Sequence, residues 1–122
     1  LAANGRITTH VLDLALGKPV SGIAVELWRI GEDGGLSLLA ASVTNGDGRL
    51  DSPIAQGETI TEGVYEIVFF AGDYFRRPGH PSASQTLIFD RIPIRFLITN
   101  SEDHYHIPLL VAPGGYSTYR GS

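Results

Sequence analysis

The chain has 122 residues, enough for one domain spanning 1–122 with a core of its own. It contains no cysteine, which excludes a disulfide framework, a Cys-ligated zinc site and a thiol nucleophile. The net charge of −4 and the lack of any apolar run near the ~18 residues of a membrane helix argue against nucleic acid and membrane as partners.

Along the chain, the opening Leu1–Arg6 carries no apolar block of the signal-peptide kind. A cytoplasmic location is expected, with the periplasm as the alternative; the absence of cysteine fits either. Gly and Pro fall in clusters: Gly17-Lys18-Pro19, Gly31 to Gly35, Asn45-Gly46-Asp47-Gly48, Gly72-Asp73, Pro78-Gly79-His80-Pro81 and Pro113-Gly114-Gly115. Such clusters mark turns, because Gly supplies positive φ and Pro fixes φ. Between them lie runs rich in Val, Ile, Thr, Tyr and Phe that read as strands: 7–13, 23–30, 38–44, 64–71, 92–99, 104–111 and 116–119. No stretch keeps a 3.6-residue apolar period over three turns. Tyr74 to Arg77 can form a helical turn, which Pro78 would end. The pattern predicts an all-β sandwich of two antiparallel sheets, with seven or eight strands and at most one short helix.

Side chains alternate faces along a strand. Ile7, Thr9 and Val11 share one face; Thr8, His10 and Leu12 share the other. Tyr105, Ile107, Leu109 and Val111 form an apolar set that belongs in a core, which turns His104, His106, Pro108 and Leu110 the other way. Ser117, Tyr119 and Gly121 alternate with Tyr116, Thr118 and Arg120. A face carrying His, Leu, Pro, Ser and Tyr is too apolar for plain solvent surface and points to a subunit interface or a lined cavity.

The residues with chemistry each have two readings. His104 and His106, two apart on one face, suit zinc binding or proton transfer. Zinc needs three or four ligands, and only Glu102 and Asp103 lie near in sequence, so no metal is expected. Asn45-Gly46-Asp47-Gly48-Arg49 lacks the closing Glu of a calcium loop. Arg49 reads either as a solvated turn residue or as a guanidinium aimed at a planar anion or polarised carbonyl. His10 reads as a structural strand histidine or a functional one. His80 reads as an exposed loop residue.

Five segments carry a resemblance: Thr9-His10-Val11-Leu12-Asp13, Gly17-Lys18-Pro19-Val20, Thr44-Asn45-Gly46-Asp47-Gly48-Arg49, His104-Tyr105-His106-Ile107-Pro108-Leu109-Leu110, and Tyr116-Ser117-Thr118-Tyr119-Arg120-Gly121-Ser122. With them the chain resembles the transthyretin-like family of 5-hydroxyisourate hydrolases, nearly end to end. The terminal Tyr-Arg-Gly-Ser favours the enzyme branch over the hormone carrier. The resemblance implies a transthyretin-like sandwich and cofactor-free hydrolysis of 5-hydroxyisourate to 2-oxo-4-hydroxy-4-carboxy-5-ureidoimidazoline. It implies a homotetramer, a dimer of dimers, with active sites in the channel between dimers. Carried over by motif, the catalytic residues are His10, Arg49 and His106. Substrate binding falls to His10, Arg49, Ser117 and Tyr119. The family's short helix would sit within 75–90.

Overall fold

A computed structural model describes residues 4–122; the first three residues of the opening stretch read above lie outside the described residues. Eleven strands form among the described residues: β1 (Arg6–Thr8), β2 (Val11–Asp13), β3 (Lys18–Pro19), β4 (Ala24–Ile30), β5 (Leu36–Val43), β6 (Ala55–Gln56), β7 (Gly63–Phe69), β8 (Ile92–Ile98), β9 (His104–His106), β10 (Leu109–Ala112) and β11 (Gly115–Thr118). One layer is the sheet β5-β4-β7-β8. The other is a split sheet, β6-β1-β9 continuing into β11-β10-β2-β3. Buried Val25, Leu27, Tyr65, Ile67 and Phe69 of the first layer meet Ile7, Val11, Tyr105, Ile107, Leu109 and Val111 of the second in one core. The alternation read from sequence thus selects the core face of both long segments. The fold is an all-β sandwich.

The strand count exceeds the expected seven or eight for local reasons. The runs 7–13 and 104–111 each break once, at the same level. Pro108 has no N–H to offer the ladder, so β9 cannot run unbroken into β10. Opposite it, the buried Thr9 turns its hydroxyl to the Ile107 carbonyl at 2.6 Å. Bonds from Ile107 N–H to the Thr8 carbonyl and from Leu109 N–H to the His10 carbonyl stitch the two halves across the break. The two-residue strands β3 and β6 are too short to show a period.

Two pairings are parallel rather than antiparallel: β1 with β9 and β2 with β10. Between β2 and β9 the chain adds β3 and β6 to this layer and builds the whole opposite one. That long excursion is what a parallel pair requires.

The helix α1 spans Ala71–Phe75, earlier than the turn expected at 74–77 and before most of the 75–90 segment. Ala71, Tyr74 and Phe75 stand at helical spacing and are all buried, so Ala71, expected to end a strand, instead opens one helical turn.

His80 is not an exposed loop residue. Its side chain is 5% exposed, and its Nε2 lies 2.9 Å from Oδ2 of Asp13, which is fully buried. The His80 Nδ1 accepts the Ser82 N–H at 3.0 Å, so the ring carries its proton at Nε2 and donates it to Asp13. Tyr74 Oη donates to the same carboxylate at 2.7 Å, and the Ala15 and Leu16 N–H groups donate to Oδ1. Edge contacts among Tyr74, Phe75 and His80 close the cluster. Burial by itself would raise the Asp13 pKa, but the hydrogen bonds from His80, Tyr74 and the two backbone amides outweigh it and hold the carboxyl below its ordinary 3.8. Sequence reasoning missed this pin because Asp13 and His80 are far apart in the chain.

A carboxylate whose folded pKa is depressed contributes stability that is complete above its unfolded value and is lost as pH falls through the folded one. The Asp13 contribution therefore persists at pH 5 and disappears below pH 3.8, toward the lowered folded value. Asp13→Ala leaves two side-chain donors and two amides unpaired, and urea titration at pH 7 should show a loss of about 3 kcal/mol or more. An unchanged midpoint would mean that the cluster contributes nothing.

Candidate active site

The site lies on the outer face of the split sheet, where β1 and β9 run side by side. The register places Thr8 beside His106 and Arg6 beside His104. The core claims Ile7 and Tyr105, so Thr8, His104 and His106 face outward together. Between β1 and β2, His10 forms an isolated antiparallel bridge with Arg49. Two of the expected groups are thereby neighbours along one edge.

Arg49 owes its position to the turn before it. Asn45 Oδ1 accepts the Asp47 N–H at 2.9 Å and the Arg49 N–H at 3.3 Å, and the Asn45 N–H bonds to the Arg49 carbonyl at 2.7 Å. Gly48 has φ +74°, and a Cβ there would run into the Val11 carbonyl and Pro19. Only glycine fits both demands. No ion pair to Arg49 forms among the described residues, so its guanidinium remains available to an anion.

Thr8, Arg49, His104 and His106 border a concavity of about 330 Å³, which His10 does not line. Its lining is Thr8, Thr9, Arg49, Leu50, Asp51, Ser52, Pro53, His104, His106 and Ser122. Thr8 Oγ1 sits 2.6 Å from His104 Nε2 and 2.8 Å from His106 Nδ1. Thr8 was legible only as a face-mate of His10; its place between two imidazoles follows from the inter-strand register. Among the described residues no group of three or more His, Cys, Asp or Glu is placed to hold a metal ion.

Burial and nearby cations disfavour the charged form of the three imidazoles. Burial first, then the Arg49 charge, and then His104 and His10, push His106 below the ordinary 6.5. His10 is lowered by burial and by Arg49, while the Asp47 backbone and carboxylate pull the other way. His104 is lowered by burial, then by Arg6 and Arg120.

The C-terminal residues approach along the other side of β9. The Gly121 N–H bonds to the His106 carbonyl at 2.8 Å, and Arg120 reaches the His104 carbonyl at 3.1 Å while lying over the Tyr105 ring. Ser117 pairs with Leu110 on β11, on the same outward face as His106, and Tyr119 follows it at 59% exposure. Within one chain neither residue borders the concavity.

The HIUase/Transthyretin family model matches residues 7–121. The chain belongs to this family. A curated 5-hydroxyisourate hydrolase from Halalkalibacterium halodurans is 53% identical over 98% of this chain and 99% of its own length. The structure of the Klebsiella pneumoniae 5-hydroxyisourate hydrolase superposes with a TM-score of 0.78 at 37% identity, covering 97% of this chain and 94% of that one. A crystal structure of (S)-allantoin synthase superposes with a TM-score of 0.88 at 44% identity over 98% of this chain, which spans 44% of that longer one. No helix among the described residues is long and apolar enough to cross a membrane.

Gly121 has no room for a side chain. A Cβ there would overlap the His106 ring, which Thr8 holds in place. Gly121→Ala should therefore displace the ring and shift the His106 side-chain NMR resonances. Gly114→Ala, at a position facing open space, should leave them where they are.

Proposed function

We infer that this chain hydrolyses 5-hydroxyisourate to 2-oxo-4-hydroxy-4-carboxy-5-ureidoimidazoline, without a cofactor. The observation that carries this reading is the convergence of uncharged imidazoles and a free guanidinium on one concavity, in a chain half identical to a named hydrolase of that substrate. His106 acts as the general base. Its ring borders the cavity and stays neutral, so its Nε2 accepts a proton from water as the oxygen attacks the acyl carbon. His10 supports the same water from the Arg49 side.

Arg49 binds the planar anionic substrate through its forked N–H groups and stabilises the oxyanion as it develops. The acyl C–N bond then breaks, and the ring nitrogen takes up the proton held by His106. Ser117 and Tyr119 orient the ring. They do so in a homotetramer, a dimer of dimers, in which a second copy brings its outward-facing β11 to the channel where the sites lie.

The reading is tested by the absorbance decay of freshly made 5-hydroxyisourate. Catalysed decay supports it; a protein that binds the compound without speeding its disappearance is a carrier. His106→Ala and Arg49→Ala should each lower kcat by at least ~100-fold, and Arg49→Lys should fail badly because it keeps the charge and loses the fork. Wild-type turnover in either alanine variant removes that residue from the chemistry.

The pH profile follows from the direction of the shifts. With its pKa lowered, His106 keeps its base form as pH drops past 6.5, so kcat/KM should hold at that pH and fall only at lower values. Removing the Arg49 charge relieves one of the lowering effects. NMR titration of His106 in Arg49→Ala should therefore give a midpoint above that of the native protein.

A further inference from the structure

We propose that Thr8 and His104 form a proton relay behind His106, with Thr8 as the positioning residue that fixes the His106 tautomer. The proposal rests on the reading of His106 as the base. Two ring nitrogens, His104 Nε2 at 2.6 Å and His106 Nδ1 at 2.8 Å, converge on a single Thr8 hydroxyl oxygen. A hydroxyl carries one hydrogen. At least one ring must therefore donate to the oxygen, and with the hydroxyl hydrogen directed to the other ring the pair becomes one donor and one acceptor.

The base role decides which. No protein hydrogen bond reaches His106 Nε2 among the described residues, and a base must present a lone pair at that atom. The proton of the neutral ring then sits on Nδ1 and is donated to Thr8 Oγ1. The Thr8 hydrogen is left for His104 Nε2, so the tautomers of both histidines are set by one hydroxyl.

This chain moves a proton with every bond accounted for. The attacking water gives a proton to His106 Nε2. The His106 Nδ1 proton passes to Thr8 Oγ1, whose own hydrogen passes to His104 Nε2. Positive charge ends on His104, and His106 is again neutral with its proton now on the cavity side. When the C–N bond breaks, Nε2 gives that proton to the leaving nitrogen. His104 returns its proton to Thr8 and Thr8 returns one to Nδ1, restoring the start. Burial, and then the charges of Arg6 and Arg120, disfavour a charged His104, which keeps that state short-lived and favours the return.

Three variants separate the relay from a simple pin. Thr8→Val removes the hydroxyl at nearly constant shape, and Thr8→Ser restores one. His104→Gln keeps an acceptor for Thr8 but cannot take up a proton. The relay predicts a kcat about 10-fold to 100-fold lower in Thr8→Val and His104→Gln, with KM within about twofold, and recovery of most of it in Thr8→Ser. Long-range 1H–15N spectra of the native protein should show the His106 proton on Nδ1, and the preference should weaken in Thr8→Val.

Wild-type kcat in His104→Gln, with loss in Thr8→Val, would reduce Thr8 to a pin and overturn the relay. A His106 proton on Nε2 would overturn the tautomer assignment. Full activity in His106→Ala sinks the underlying reading as well. An inactive His106→Ala beside a fully active Thr8→Val sinks the relay alone.

Discussion

The parallel register between β1 and β9 of the split sheet governs this molecule. It sets Ile7 against Tyr105 on the core side and Thr8 against His106 on the outer side. Strand side chains have a period of two, so a slip of one residue would turn His106 into the core and Tyr105 out of it. Burial of Ile7, Tyr105, Ile107 and Leu109 resists that slip, and the same burial places the histidines at the surface. Packing and chemistry are here two faces of one pairing.

Polar anchors hold the register at both ends of the break. Thr9 spans it by bonding the Ile107 carbonyl, and Asp13 closes the far end with four hydrogen bonds. The Asp13 cluster also ties down the turn-rich loop after α1. Arg77 assists from the other side, donating to the Ser21 and Gly22 carbonyls while lying over the Tyr74 ring. The site thus stands on strands whose neighbours are fixed by buried bonds, which suits groups that must hold their geometry.

Charge is distributed so that the imidazoles remain available. Partial burial is the main effect that lowers His10, His104 and His106, and the charges of Arg49, Arg6 and Arg120 add to it. A cationic neighbour disfavours protonation of an imidazole and attracts an anionic ligand at the same time. In the proposed reaction one guanidinium serves both the base and the substrate, a coupling no single residue's identity reveals.

Local pattern was enough for the fold class, the core faces of segments 7–13 and 104–111, the turn that carries Arg49 and the outward placement of His10 and His106. Each of these depends on neighbours within a few positions, through turn chemistry or the two-residue period. The motif resemblance added the pairing of distant residues with roles. Tertiary structure alone decided that β1 and β9 run parallel, that Thr8 falls between two imidazoles, and that Asp13 meets His80. These are contacts between segments that share no local signal, and the chain commits to them only when burial of the common core selects one register.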